Sequence, residues 1–254
     1  MSEDDLHVAI GDDFVATMEI RRPPNNFFDV ELIEAMAAAI AALDDDPRCR
    51  AIVLCSEGKH FCAGADFATP SDGQAAGRHL YDAATELFAT ATPVVAAVQG
   101  AAIGGGLGVA CFADFRLAAP EARFSANFAR LGFHHGFGLT VTLPALVGQQ
   151  RALELLYTGR RIGGAEAVTI GLADRLAPIA DLRAAARSLA AEIAASAPLA
   201  VASIRATMRG DLASRIRLAT DREQAEQDRL RRTSDWREGV QAMSERRRPN
   251  FTGQ

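Results

Sequence analysis

The sequence predicts an α/β protein with a sheet of mainly parallel strands, followed by a helical C-terminal part. In the first half of the 254-residue chain, short apolar runs alternate with helical patterns about every 40 residues. From about residue 139 onward the hydrophobic pattern is almost wholly helical. Hydrophobic residues make up 49% of the chain and charged residues 23%, which supplies material for a core and excludes a disordered chain.

The order of the predicted elements follows from hydrophobic periodicity and from turn residues. Residues 14–20 alternate apolar and polar side chains as a half-buried strand does, and Pro23 and Pro24 follow the strand. Asp29 is the expected N-cap of a helix that runs to about Leu43. We then predict strands at 51–55, 93–98 and 115–118, a helix around 74–91, and a short helix that starts within 104–108. Residues 214–247 form an amphipathic stretch laced with Arg and Glu, typical of solvated helix faces.

Charge is unevenly placed along the chain. The formal net charge of −5 argues against general nucleic-acid binding through phosphate neutralisation. Residues 201–254 carry twelve arginines and eight acidic residues, a net charge of +4, whereas residues 1–200 carry 15 basic and 24 acidic residues. An anionic ligand would therefore meet a basic region near the C-terminus.

Cysteine spacing and hydropathy exclude several protein classes. The four cysteines form no CxxC pair, so neither a disulfide framework nor a zinc site is indicated. The acidic first residues do not resemble a secretory signal. Residues 93–112 are long and apolar enough to suggest a membrane span, but they contain Pro93, Gln99 and five glycines. We interpret them as a buried strand that leads into a helix, and we expect a cytoplasmic protein without membrane or nucleic-acid partners.

Two glycine-rich segments, residues 59–67 and 100–108, each follow a predicted buried strand. The second opens a helix, whose first N–H groups lack partners and favour negative charge. If the amides of Ala65 and Gly105 converge, they form a two-donor hole for an oxyanion, where one donor contributes about 2.7–4 kcal/mol. A dinucleotide loop is the weaker interpretation, because the G-x-G-x-x-G spacing and its acidic residue about 20 positions on are missing. Close helix–strand packing is a further alternative for these glycines.

Several motifs in combination resemble the enoyl-CoA hydratase/isomerase (crotonase) family over essentially the whole chain. They are residues 61–66 (FCAGAD), 103–108 (IGGGLG), 236–239 (WREG) and 248–251 (RPNF), with Arg22-Pro23 and residues 155–160 also in the expected order. The resemblance implies a crotonase-like spiral of ββα units over residues 1–196, which contains the oxyanion hole. It also implies a helical C-terminal trimerisation region, residues 197–254.

The same resemblance implies an acyl-CoA thioester substrate, with coenzyme A as part of the substrate and no permanently bound cofactor. Ala65 and Gly105 would supply the oxyanion-hole amides. The residues expected to contact the substrate or coenzyme A are Arg22, Ala63, Asp66, Phe67, Ala68, Gly104, Phe128, Arg248 and Phe251. Arg248 and Phe251 match tail positions that reach the coenzyme A of a neighbouring subunit, so we expect a homotrimer or a dimer of trimers.

The sequence departs from the family where a hydratase carries its two glutamates. Carried over position by position, the glutamates fall at Gly108 and Phe128, and an alternative acid of some relatives falls at Gly136. None of these side chains transfers a proton, and hydration needs an acid or base within hydrogen-bond reach. We therefore predict a non-standard reaction of the isomerase, decarboxylase or hydrolase type.

His134 and His135 are the candidate proton-handling groups, because they stand in a glycine-flanked loop beside the expected thioester pocket. We interpret His60 and His79 as structural, and Cys62 as a small buried residue. The alternative function is a catalytically silent acyl-CoA-binding protein that has lost both carboxylates. A nicotinamide enzyme is a third hypothesis.

Overall fold

A computed structural model of the chain describes residues 5–65 and 80–254. Its strands are β1 Leu6–Ile10, β2 Val15–Ile20, β3 Ala51–Ser56, β4 Val94–Val98, β5 Ala101–Ile103, β6 Phe115–Ala118, β7 Arg123–Ser125, β8 Ile162–Gly163 and β9 Arg175–Leu176. Six of them form a sheet in the order β1-β2-β3-β4-β6-β9, parallel throughout except for the β1–β2 pair. The expected parallel-rich sheet is confirmed.

Helices connect and cover these strands. They are α1 Val30–Asp44, α2 Leu80–Leu87, α3 Gly105–Phe112, α4 Leu139–Val147, α5 Gln149–Thr158, α6 Gly164–Thr169, α7 Leu182–Ala194, α8 Pro198–Arg209, α9 Leu212–Leu230 and α10 Ser234–Ser244, with a 3-10 helix at Asn127–Leu131. Asp29 caps α1 as predicted, because its carboxylate accepts the Leu32 N–H at 2.8 Å. Pro198 is the first residue of α8, where its missing N–H costs nothing.

The main sheet is buried on both faces at β3 and β4, which explains the continuous apolar runs of these two strands. Ile52 and Leu54 pack into the larger core, which includes α1 and α3. Val53 and Cys55 point to the opposite face, which is covered by α7. The alternation of neighbouring β3 residues between two cores follows from the period-2 geometry of a strand.

A second, three-stranded sheet positions the glycine-rich segments. Its order is β5-β7-β8, and β5 pairs in parallel with β7. An isolated bridge from Cys62 to Ala102 ties the loop after β3 to β5. A second bridge joins Phe28 to Ala65. These pairings hold the loop after β3 beside the N-terminus of α3.

The strands predicted at 51–55 and 115–118 are confirmed, and the strand predicted at 93–98 is observed as β4. The helix expected around 74–91 is α2 where the structure describes it, and it ends at Leu87. The pattern did not predict β1, β5, β7, β8 or β9. Four of these strands, β5, β7, β8 and β9, have only two or three residues and are too short to show a periodic pattern.

Within residues 5–65 and 80–254, no single helix is both long and apolar enough to cross a membrane. One pair of segments, Leu182–Ala194 with Pro198–Leu230, meets the criteria of length and composition together, with a bend of 103°. The first of these is α7, whose apolar residues cover the sheet.

Candidate active site

The two glycine-rich segments lie in contact. Gly64 has a φ of +97°, a conformation that favours glycine, and a Cβ there would lie 2.9 Å from the Ile103 carbonyl oxygen and 3.9 Å from the Gly105 nitrogen. A Cβ on Gly106 would lie 2.0 Å from the Cys62 carbonyl oxygen. Both positions therefore require glycine so that the two main chains can approach each other.

The amides of Ala65 and Gly105 stand apart from the backbone hydrogen bonds around them. The Phe28 N–H donates to Gly64 O at 3.0 Å, so this pairing does not use the Ala65 amide. The Gly104 N–H donates to Ser125 O at 2.8 Å. Among the described residues, neither the Ala65 nor the Gly105 N–H donates to a backbone oxygen outside its own element. Both residues are half-buried, so solvent reaches this place.

Two amide side chains, one buried and one half-buried, anchor the loop that precedes Ala65. The Asn26 Nδ2 donates to Glu57 O at 2.8 Å and to His60 O at 2.6 Å, and Asn26 is fully buried. The Gln99 Nε2 donates to Ser56 O at 2.9 Å and to His60 O at 3.1 Å. Sequence analysis did not single out either residue for this role, because a polar residue in a loop carries no signal that its side chain is buried.

Phe137 occupies the space beside Gly108. A Cβ on Gly108 would lie 2.6 Å from the Phe137 Cβ and 2.7 Å from its Cδ1. Phe137 is itself held at a φ of +60°, which is unusual for a bulky residue and marks a constrained loop. The rings of Phe137 and Phe28 lie 5.5 Å apart, and a Cβ on Gly105 would lie 2.4 Å from the Phe28 Cζ. The wall beside the Gly105 amide is therefore aromatic.

Phe128 extends this apolar wall. Its Cζ lies 3.7 Å from the position of a Cβ on Gly104. Its ring stacks on Phe133 with centroids 6.4 Å apart, and Phe133 in turn packs against Trp236 at 4.4 Å. The two positions matched to hydratase glutamates, Gly108 and Phe128, thus both lie against aromatic rings.

His134 and His135 stack on each other, with ring centroids 4.2 Å apart and planes inclined by 23°. The His134 Nδ1 lies 2.7 Å from the His135 carbonyl oxygen. A carbonyl oxygen only accepts, so Nδ1 carries the hydrogen and the neutral ring keeps its lone pair at Nε2. The His135 Nε2 lies 2.8 Å from the Thr140 Oγ1.

His135 differs from the expectation of an unperturbed imidazole base. Burial, and then the neighbouring His134, lower the pKa of His135 from 6.5 to about 4. His135 is therefore neutral at pH 7 and only weakly basic. No hydrogen bond within the described part of the chain joins either imidazole to Ala65 or Gly105.

Comparison with known proteins decides the family. The family model described as enoyl-CoA hydratase/isomerase matches residues 11–254. This chain belongs to the enoyl-CoA hydratase/isomerase family. It is 32% identical over 250 residues to a Bacillus subtilis (strain 168) protein named "Probable enoyl-CoA hydratase", covering 96% of this chain and 97% of that protein. It is also 33% identical over 241 residues to the carnitinyl-CoA dehydratase of Proteus mirabilis (strain HI4320), with coverages of 91% and 92%.

The solved structures agree with this assignment. The crystal structure of an enoyl-CoA hydratase/isomerase from Pseudoalteromonas atlantica T6c superposes with a TM-score of 0.89 at 29% identity, covering 98% of this chain and 100% of that chain. The crotonase-type α/β fold expected from the motifs is thereby confirmed. The chain is an enzyme of a family that acts on acyl-CoA thioesters.

The coenzyme A residues expected from this family lie in different surroundings. Arg22 binds two carboxylates, Asp5 at 2.9 Å and Asp29 at 2.7 Å. Ala63 is half-buried, and its N–H donates to Asn25 O at 3.0 Å. Asp66, Phe67, Ala68 and His79 lie outside the described residues.

Arg248 and Phe251 are exposed in the tail after α10. The tail folds back on that helix, because the Asn250 N–H donates to Glu238 Oε1 at 2.7 Å and the Thr252 N–H to Asp235 Oδ1 at 2.7 Å. Both residues are thus available to a ligand or a neighbouring subunit.

His60 and Cys62, which the sequence analysis interprets as structural, both lie in the loop that precedes Ala65. The Ala101 N–H donates to the His60 Nδ1 at 3.4 Å. Burial raises the pKa of the Cys62 thiol to about 12, so it stays protonated and is not a nucleophile at neutral pH. Across the described ranges, no group of three or more His, Cys, Asp or Glu residues could hold a metal ion.

Proposed function

We propose that this enzyme binds an acyl-CoA thioester with its carbonyl oxygen between the amides of Ala65 and Gly105, and that it stabilises the enolate formed there. The observation that carries the proposal is the contact between the two glycine-rich segments. It is supported by the backbone hydrogen bonds among residues 5–65 and 80–254, in which neither amide donates to an oxygen outside its own element. Two preorganised donors stabilise the negative charge that develops on the oxygen.

The reaction proposed for this enolate is not hydration. The relatives from Bacillus subtilis and Proteus mirabilis are named as a hydratase and a dehydratase, but here Gly108 and Phe128 stand where the resemblance places the two glutamates of a hydratase. Phe137 fills the space that a side chain at Gly108 would need. With aromatic rings where an activated water would sit, isomerisation, decarboxylation or hydrolysis of the acyl group is the better-supported class.

His134 is the proposed base of the enolisation step. Its Nε2 takes the proton from the α-carbon, the C–H electron pair becomes the C=C bond of the enolate, and the carbonyl oxygen takes the negative charge. The hydrogen bond from Nδ1 to the His135 carbonyl fixes the tautomer that this step needs. His135 is the weaker candidate because its lowered pKa reduces its basicity at pH 7.

Exchange of the α-proton tests enolisation whatever the overall reaction is. A saturated acyl-CoA such as butyryl-CoA is incubated with the enzyme in D2O, and deuterium at the α-carbon is followed by mass spectrometry. We expect exchange well above buffer, and a loss of about 100-fold or more in His134→Gln, in line with the usual contribution of a general base. Exchange that survives in His134→Gln and in His135→Gln would remove both histidines from the mechanism.

The carbonyl stretch of the bound thioester tests the oxyanion hole directly. Two amide donors should polarise the thioester carbonyl and shift its infrared band to lower frequency than in water. Tight binding without a shift and without α-exchange would favour the alternative, a catalytically silent acyl-CoA-binding protein. Crotonyl-CoA hydration at an ordinary enzymatic rate would contradict the proposed role of Gly108 and Phe128.

We also propose a trimeric assembly through the C-terminal helices. Helix α8 has no buried residue, and Leu199, Ile204 and Met208 are 86%, 62% and 76% exposed. A set of large apolar side chains in water on one helix is typical of an interface. Light scattering should give three or six times the 27.0 kDa mass of one chain, and a monomer would refute this assembly.

A further inference from the structure

Helix α9 directs two buried polar side chains, Glu223 and Gln227, at the loop that carries the histidines. The two residues are one helical turn apart and are 0% and 5% exposed. Burial of polar groups is costly unless each of their atoms finds a partner. Glu223 finds these partners in Gly138 and Thr140, and Gln227 finds them in His134 and Tyr81.

Glu223 binds the start of α4. Its Oε2 accepts the Gly138 N–H at 2.9 Å, and its Oε1 accepts the Thr140 N–H at 3.0 Å and the Thr140 hydroxyl at 2.6 Å. A carboxylate at this place is stabilised by the unpaired N–H groups of the helix. The two hydrogen bonds from main-chain N–H groups would cap the helix by themselves, so the hydrogen bond from the Thr140 hydroxyl is additional.

The hydroxyl of Thr140 determines the tautomer of His135. An ionised carboxylate only accepts, so the single hydroxyl hydrogen points to Glu223. The Thr140 Oγ1 must then accept from the His135 Nε2, which lies 2.8 Å away. The neutral His135 ring therefore carries its hydrogen on Nε2 and its lone pair on Nδ1.

Gln227 fixes the main chain of the same loop. Its Nε2 donates to the His134 carbonyl oxygen at 3.0 Å, and its Oε1 accepts the Tyr81 hydroxyl at 2.9 Å. A Cβ on Gly136 would lie 1.8 Å from the Tyr81 hydroxyl oxygen, so the loop passes directly over this pair. The ring of His135 and the carbonyl of His134 are thus both held from α9.

We infer that Glu223, through Thr140, and Gln227 are positioning residues for the His134–His135 pair. They hold His135 in one orientation and one tautomer, so that its carbonyl and ring keep His134 in place with Nε2 unprotonated. This inference rests on the proposed role of His134 as the base. The Thr140 hydroxyl is the link that can be removed while both oxygens of the buried carboxylate keep a partner, because the main-chain N–H groups of Gly138 and Thr140 still donate to Glu223.

The test compares Thr140→Val, which removes the hydroxyl, with Thr140→Ser, which keeps it. Thr169→Val is the matched control, because it removes the hydroxyl of another exposed helical threonine, which bonds to Ala165 O at 3.0 Å. The ring carbon and nitrogen resonances of 13C- and 15N-labelled protein report the tautomer of His135. The α-proton exchange of butyryl-CoA in D2O gives kcat and KM for the same variants.

We expect His135 in the Nε2–H form in the wild-type enzyme, in Thr140→Ser and in the control. In Thr140→Val we expect a mixture of tautomers and a fall in kcat of about tenfold with KM within about twofold. The kcat is referred to the folded fraction measured by urea unfolding, because a loss of folded protein would also lower the apparent kcat at constant KM. Wild-type His135 in the Nδ1–H form would overturn the inference. So would a Thr140→Val variant that keeps either the wild-type resonances or the wild-type kcat.

The two proposals can fail separately. If His134→Gln exchanges as fast as the wild-type enzyme, the proposed base is wrong and the kinetic part of the positioning role fails with it. The resonances of His135 are measured without substrate, so they test the hydrogen-bond chain from Glu223 independently of that outcome.

Discussion

The burial of His135 predicts a fold that loses stability in mild acid. Burial and the neighbouring His134 lower the pKa of His135 from 6.5 to about 4, and its side chain is only 20% exposed. In the unfolded chain the ring takes up a proton below its ordinary pKa, whereas in the folded chain it stays neutral until about pH 4. The unfolded state therefore binds more protons between these values, and the free energy of unfolding falls as the pH falls from about 6.5 to about 4.

The size of this effect follows from the shift. One pKa unit corresponds to 1.36 kcal/mol, so the full shift of the His135 pKa changes the free energy of unfolding by about 3 kcal/mol. Between pH 7 and pH 5, linkage with these two pKa values gives a loss of about 2 kcal/mol. For a urea dependence of about 2 kcal/mol per molar, the urea midpoint falls by about 1 M from this group alone.

The assay is urea unfolding at pH 7 and pH 5 for the wild type and for His135→Gln. Because the substitution also removes the bond to Thr140, the quantity compared is the change between the two pH values and not the stability at either one. We expect this change to be smaller in His135→Gln by about 2 kcal/mol. His7→Gln is the control, because His7 is exposed on β1 and its removal leaves the His134–His135 pair intact. The reasoning is refuted if the free energy of unfolding of His135→Gln falls between pH 7 and pH 5 by as much as that of the wild type.

Two further predictions concern the aromatic wall and the loop anchor. Gly108→Glu should destabilise the fold by about 1–3 kcal/mol through the clash with Phe137 and should not restore hydration, as shown by urea unfolding and the absorbance of crotonyl-CoA. The double variant with Phe137→Ala should be less destabilised than the sum of the two single variants, and additivity would contradict the steric conflict. Asn26→Ala should lower the free energy of unfolding by about 1–3 kcal/mol, because it removes the two hydrogen bonds that this fully buried side chain donates to the Glu57 and His60 carbonyls. A loss below 0.5 kcal/mol in urea unfolding would show that the anchor is dispensable.

The sequence predicted the centre of the main sheet well because β3 and β4 are both short and almost continuously apolar. The 51–55 and 115–118 runs could form little else between their turn residues, and Asp29 marked the start of α1 unambiguously. The strands β5 and β7 were not predictable in the same way. Each has three residues, which is too short for a period-2 pattern to stand out from the surrounding loops.

The candidate site was predictable only where it depends on local sequence. Glycine runs after strands indicated Ala65 and Gly105, since a run of residues without Cβ has a direct structural meaning. Glu223 gave no such signal, because it stands 83 residues from Thr140 in a helix that is rich in charged residues. Only the packing of α9 shows that this one carboxylate is buried while its neighbour Glu226 pairs with arginines.

Gly108 and Phe137 show why a missing glutamate has to be interpreted from the structure. In the sequence, Gly108 stands where the resemblance places a hydratase glutamate, and it has no group for proton transfer. In the structure the volume is not empty, because the ring of Phe137 lies where a side chain at position 108 would begin. The strained φ of +60° at Phe137 is stable only if the surrounding contacts determine it, and its ring contacts Phe28, which covers Gly105. Position 108 is therefore occupied by a constrained aromatic packing arrangement and is not an empty proton-transfer site, which agrees with the proposal of a reaction other than hydration.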